Sequence, residues 1–210
     1  MNTVRIAAAL VSFAVLGLAA APLAAAAGST EIENWPCKNP YKEALTADEI
    51  WGGPAPAADG DWHQDQAVSK LVTFATNPEN PPASGRKAIS DLAKQAGTGA
   101  EKQHTLLLAF RGMVDETNAL RGAILSGIRN MKIRAIILDD AVKDDDRMLA
   151  DLPNSPDAES KRQDIKAARK FNFRNKDDSE EEADFLCYRL NYVEKKLRSL
   201  TEQVQHEVGG

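Results

Sequence analysis

Two long apolar stripes at helical spacing dominate this sequence and restrict it to a helical fold. The first stripe lies between Glu101 and Leu149, in a stretch without proline. Its apolar side chains recur mostly at steps of three and four residues, which is the pattern of one face of an amphipathic helix. A helix of this length is typical of coiled-coil packing. The members of the first stripe are Leu106, Phe110, Met113, Leu120, Ile124, Ile128, Met131, Ala135, Leu138 and Val142.

A second apolar stripe, near the carboxyl end of the chain, alternates strictly between three- and four-residue steps. This alternation is the heptad pattern by which one helix packs against another. An acidic run over 177–182 precedes the stripe and favours the start of a helix there, because negative charge complements a helix amino terminus. The stripes form either the core of one chain or a dimer interface, and the spacing is the same in both cases. The members of the second stripe are Ala183, Leu186, Leu190, Val193, Leu197, Leu200 and Val204.

A proline-rich turn over 153–156 separates the two stripes and predicts that their helices pack antiparallel. Shorter helices are expected over about 63–76 and about 85–96. Another helix is expected over about 156–170, followed by a break over 171–178. We therefore predict an all-α fold, namely an irregular four- to five-helix bundle built on a long antiparallel helical hairpin.

Residues 28–64 form an irregular amino-terminal arm, rich in tryptophan, proline and glycine, that precedes a helical domain over 65–210. A capping pattern before Trp51 predicts one short helix within the arm. The arm holds all three tryptophans of the chain, Trp35, Trp51 and Trp62. Tryptophan is enriched at the centres of protein interfaces, so these side chains are candidates for partner binding. The alternative is that they pack onto the apolar seam of the hairpin.

Residues 1–27 have the composition of a signal peptide. Arg5 precedes an apolar run over 6–21, and the small residues over 24–27 offer a cleavage site. We therefore expect a periplasmic or secreted protein, with an uncleaved amino-terminal anchor as the alternative. No second apolar run of this length follows, so stable membrane insertion is not expected after cleavage.

Two cysteines, Cys37 and Cys187, are the only ones in the chain. Export would place them in an oxidising compartment, where thiols tend to pair. A disulfide between them would fasten the amino-terminal arm to the last helix. Free thiols or an intermolecular bridge are the alternatives.

The charge balance argues against two classes of partner, nucleic acid and anionic membrane surfaces. Removal of residues 1–27 takes away one basic side chain, Arg5, and leaves 25 basic and 31 acidic side chains, for a net charge of −6. A mildly acidic chain does not suit nucleic acid, whose phosphates require a basic face. It does not suit an anionic membrane surface either.

The sequence contains no recognisable catalytic constellation. The three histidines, His63, His104 and His206, are far apart, and no zinc-protease or nucleophile-elbow motif occurs. Each histidine therefore suits a solvated position near a helix end. We predict that the protein is not an enzyme and needs no cofactor.

An aspartate-rich segment offers weak candidates for a cation site. Asp140 and Asp144 are four residues apart and share a helix face. Ca²⁺ takes six or more oxygen ligands, and one helix face supplies only two or three. Because Lys143 and Arg147 are interleaved, an ordinary solvated charged face is the alternative.

These features predict an exported helical protein that acts through protein–protein contacts, as a non-enzymatic scaffold, adaptor or chaperone-like module. Its partner is another protein or a second copy of this chain. The alternative function is that of a divalent-cation-binding helical protein that uses the aspartate-rich face.

Overall fold

The computed structural model describes residues 35–209 and confirms the all-α prediction. No strand occurs within this described part of the chain. The proposed signal peptide over 1–27 lies outside the described residues. The elements are α1 (Ala47–Trp51), α2 (Gln66–Thr76), α3 (Pro82–Gln95), α4 (Gly99–Asp151), a 3₁₀ turn (Pro156–Ala158) and α5 (Glu159–Gly209).

The long hairpin is the frame of the molecule. Helix α4 has 53 residues and α5 has 51, so each is roughly 80 Å long at 1.5 Å per residue. The two helices pack antiparallel, since Arg121 in the first half of α4 contacts Glu194 in the second half of α5. Nearer the connecting turn, Arg169 contacts Asp146. The predicted helical hairpin is thus confirmed.

Both apolar stripes face the interior of a single chain. Ile124 and Ile128 of α4 pack with Leu190 and Val193 of α5 in one buried cluster. The seam therefore forms intramolecular core, which was one of the two interpretations that the spacing allowed.

The break predicted over 171–178 is wrong, because α5 is helical without interruption through these residues. The segment contains two asparagines, which are poor helix formers in isolation. Tertiary contacts outweigh that preference: Asn172 Nδ2 donates to Asp145 Oδ2 at 2.9 Å, and Asn175 Oδ1 accepts from Arg134 Nη2 at 3.3 Å. The segment also has no proline or glycine to end the helix.

The boundaries of the shorter helices differ slightly from the predicted ones. Asp65 caps α2, and its carboxylate accepts from the main-chain nitrogens of Ala67 and Val68. Helix α3 begins at Pro82, three residues before the predicted start, because proline suits the first helical position. The predicted cap of α1 is present, since Thr46 Oγ1 accepts from Glu49 N at 3.2 Å.

Helices α1 to α3 pack around the open end of the hairpin, where α4 begins and α5 ends. We call this part of the molecule the base. The apolar core of the base takes Phe110 and Met113 from α4 and Leu197 and Leu200 from α5. Close packing here depends on Gly112, because a Cβ at this position would lie 2.8 Å from both the Trp62 ring and a Val72 methyl group.

The amino-terminal arm is fastened to one face of α4 by polar side chains. The side-chain amide of Asn118 exchanges two hydrogen bonds of 2.9 Å with the main chain of Leu45. Asp115 Oδ2 accepts from Trp62 Nε1 at 3.2 Å, and Arg111 Nη1 donates to Ala58 O at 3.3 Å. Residues 45–62 of the arm are therefore part of the folded body rather than a free extension.

Candidate functional site

The predicted disulfide is formed. Cys37 and Cys187 are bonded, with their Cα atoms 5.3 Å apart, and no free cysteine occurs in the described residues. The bond lies beside the buried cluster of Ile128 and Leu190, where Trp35 also packs. It therefore ties the beginning of the arm to the middle of the hairpin.

The three tryptophans contact the chain's own hairpin and arm. Trp62 is 8% exposed, and the Trp51 ring packs edge-to-face on Phe110 with centroids 4.9 Å apart. Trp35 packs edge-to-face on Tyr41 and donates from Nε1 to a main-chain oxygen of the arm. These contacts correspond to the packing alternative, and they leave each ring at most partly exposed.

Arg121 is the most deeply buried charge in the described part of the chain, at 1% exposure. Its Nε donates to Glu194 Oε1 at 2.8 Å. Its two terminal nitrogens donate to the main-chain oxygens of Glu43 at 3.1 Å and Lys42 at 2.9 Å. One side chain of α4 thus holds both the arm and α5 in place.

The two candidate metal ligands are exposed and contact cations of their own helix. Asp140 accepts a hydrogen bond from Lys143 at 3.1 Å, and Asp144 accepts one from Arg147. Within residues 35–209, no group of three or more histidine, cysteine or acidic side chains is arranged to hold a metal ion. The nearby carboxyl of Asp139 has its pKa held below the ordinary value by the hydrogen bond from Lys143.

The buried ammonium of Lys196 binds main-chain oxygens just after the end of α2. The side chain is 3% exposed, and Nζ donates to the main-chain oxygens of Asn77 at 2.5 Å and Asn80 at 2.7 Å. Burial lowers the pKa of Lys196 to about 8.

We expect the free energy of unfolding to rise between pH 7 and pH 9.5. The unfolded chain keeps the lysine proton up to a pKa of about 10.4, so in this window it binds more protons than the folded chain does. At about 1.4 kcal/mol per pH unit above the folded pKa, the gain is about 2 kcal/mol at pH 9.5. Urea unfolding at constant ionic strength, repeated across this pH range, measures the rise in the free energy of unfolding. Lys196→Met should lose this gain, and an equal rise in both proteins would contradict the assignment.

The distal part of the hairpin, residues 129–188, extends beyond the base; we call it the blade. Few of its residues are buried between the two helices. Seven residues are buried there, of which only Val142 and Ile165 have larger apolar side chains. The others are small or polar: Ala135, Asp145, Ala158, Ser179 and Ala183.

The blade carries its large apolar side chains on the outside. Of the nine exposed large hydrophobic residues in the described chain, eight belong to the blade, and only Phe74 belongs to the base. Soluble proteins seldom group such side chains on a surface without a binding role. The eight are Ile133, Ile136, Ile137, Met148, Phe171, Phe173, Phe185 and Tyr188.

These residues lie mainly on two outer faces. On α4, Ile133 and Ile137 are 50% and 63% exposed, and their spacing places them on the side away from buried Ala135. On α5, exposed residues recur at steps of three and four opposite the second stripe. We call this set the outer stripe: Phe171, Arg174, Asp178, Glu181, Phe185 and Tyr188.

Sequence reasoning missed the outer stripe, although its signal was present. The heptad steps of these residues are as regular as those of the second stripe. The break predicted over 171–178 obscured the pattern, because a broken helix has no continuous outer face.

Charge on the α5 part of the blade is divided into two adjacent blocks. Residues 166–176 hold five basic side chains and no acidic one, and residues 177–184 hold six acidic side chains and no basic one. Part of this charge is used within the hairpin, as Arg169 pairs with Asp146, and Lys176 with Asp139.

Comparisons with protein-family models, with curated proteins and with solved structures found no match to this chain. None of the helices among residues 35–209 is both long and apolar enough to cross a membrane.

Proposed function

We propose that this chain is an exported, non-enzymatic scaffold or adaptor that contacts other proteins through the blade. The observation that carries the proposal is the inverted distribution of side chains in the blade. Five of its seven buried residues are small or polar, whereas eight large apolar residues lie outside. Such an arrangement favours a contact surface that a partner covers.

A partner that covers these side chains would gain hydrophobic free energy, because they are exposed to water in the isolated chain. Each large apolar side chain that is removed from water contributes about 1.5–3 kcal/mol when fully buried. Ile133, Ile136 and Ile137 lie within five positions of one helix and form a compact anchor on the α4 side. The base lacks such a cluster, because Phe74 is its single exposed large apolar residue among those described.

Two observations support export. The composition of residues 1–27 is that of a signal peptide. The disulfide between Cys37 and Cys187 suits an oxidising compartment such as the periplasm or the extracellular space.

Photo-crosslinking in the producing cell tests the proposal. A photo-reactive residue at Ile137 should give a discrete adduct with one defined protein, whereas the same residue at Phe74 should give none. Purified components then provide the affinity. Ile133→Gln/Ile137→Gln should weaken binding by about tenfold or more, which corresponds to the loss of roughly 1.4 kcal/mol or more.

Glutamine keeps helix propensity, so the double variant should remain folded. Phe74→Gln serves as the matched control and should leave the affinity unchanged. The proposal fails if Ile137 yields no adduct, or if the double variant and the control bind equally well.

A further inference from the structure

The outer stripe of α5 is continuous, exposed and unoccupied by other elements of the described chain. The described part of the arm lies on the adjacent face of α5, where it is attached through Cys187 and Asn191 and lines a pocket together with Tyr188. The base reaches α5 from Lys196 onward, where Lys196 contacts the end of α2. Among residues 35–209, no other element therefore covers the outer face of the α5 part of the blade.

We propose that this outer face binds a second copy of the chain, with the two α5 helices antiparallel. The inference rests on the proposed role of the blade as a contact surface, and it concerns the α5 side alone. A two-fold axis near the junction of Lys176 and Asp177 relates the copies, so each copy contributes the same surface.

Charge complementarity identifies the partner. The basic block over 166–176 and the acidic block over 177–184 are neighbours on one helix. An antiparallel copy places each basic block against an acidic block, twice over, whereas a parallel copy places like charges together. Opposite potentials across an interface favour the matching orientation and suppress the other one.

Much of this charge has no ion partner within the described part of the chain. Among residues 35–209, ion pairs of the two blocks involve only Arg169, Lys176 and Glu180. The remaining charged side chains are available to a second copy. They are Lys166, Lys170, Arg174, Asp177, Asp178, Glu181, Glu182 and Asp184.

The apolar residues of the outer stripe fit the same arrangement. With the axis between Lys176 and Asp177, Phe171 of one copy lies within one helical turn of Phe185 of the other. The start of α5 at Glu159 comes level with Glu194, so only the connecting turn over 152–158 reaches the level at which the base of the other copy begins. The two bases therefore lie at opposite ends of the dimer and do not collide.

Light scattering and sedimentation of the full chain test the proposal. The wild-type protein should be a dimer at micromolar concentration, and its dissociation constant should rise with salt, since exposed charges are screened. Lys166→Glu/Lys170→Glu/Arg174→Glu should raise the dissociation constant at least tenfold. Asp178→Lys/Glu181→Lys/Glu182→Lys should do the same.

Mixing the two variants supplies the decisive result. Each reversed block then meets a block of opposite charge, so an equimolar mixture should recover dimers that neither variant forms alone. Recovery also shows that both variants are folded. Lys70→Glu/Lys94→Glu, on exposed positions of the base, is the control and should dimerise like the wild type.

A wild-type chain that stays monomeric up to about 100 μM overturns the inference, since that limit corresponds to only about −5.5 kcal/mol. A mixture that stays monomeric also overturns it. Neither result affects the proposed function, which is measured by heterologous adducts at Ile137 on the opposite face.

Discussion

Replacement of Cys37 and Cys187 by serine should lower the free energy of unfolding by about 3–5 kcal/mol. The two cysteines are 150 positions apart, and the loop-entropy account gives about 5 kcal/mol for a closure of that length, less any native strain. For a chain of this size the melting temperature should fall by about 10–15 °C. Urea unfolding and calorimetry measure the two quantities.

The local consequence of this double substitution should be confined to the arm. Trp35 packs beside the disulfide, whereas Trp62 lies in the base, where its Nε1 donates to Asp115. Proteolysis of the native state should therefore cut near Trp35 before it cuts near Trp62. Reduced wild-type protein is the matched control and should reproduce both effects. A loss of less than about 1 kcal/mol would show that the closure contributes little to stability.

Arg121→Ala should destabilise the fold by about 3–5 kcal/mol, the usual cost of removing one partner of a buried ion pair. The substitution strands the Glu194 carboxylate and leaves the main-chain oxygens of Lys42 and Glu43 without their donor. Chemical denaturation provides the measurement. Arg129→Ala is the matched control on an exposed position of α4 and should cost less than about 0.5 kcal/mol.

A double-mutant cycle separates the ion pair from the contacts to the arm. Glu194→Ala in the Arg121→Ala background should cost much less than it does in the wild type, because the carboxylate has already lost its partner. Additive losses would show that Arg121 acts through the arm alone.

The repetitive part of the fold could be predicted from the sequence. A seam such as that from Ala183 to Val204 follows from side-chain spacing, and spacing is a local property of the chain. The disulfide also could be predicted, because the chain offers only Cys37 and Cys187 as partners. Both predictions are confirmed.

Contacts between distant segments could not be predicted in the same way. The sequence suggested a break over 171–178, between a helix that starts at the proline-rich turn and one that starts in the acidic run. The helix continues because Asn172 and Asn175 bond to residues of α4. Likewise Arg111, Asn118 and Arg121 resemble ordinary polar positions of an amphipathic helix until the arm is placed against them.

The sequence by itself determined the helical class, the two apolar stripes and the one possible intramolecular pairing of the cysteines. It left open whether the stripes meet within one chain and how far the last helix extends. Only the tertiary structure decided where the seam buries few large side chains, and which large side chains remain exposed outside it. Ile137 and Phe171 have the same apolar character as residues of the core, and nothing local distinguishes them. Their exposure follows from the end of the base, because α1 to α3 are too short to cover the hairpin beyond its open end.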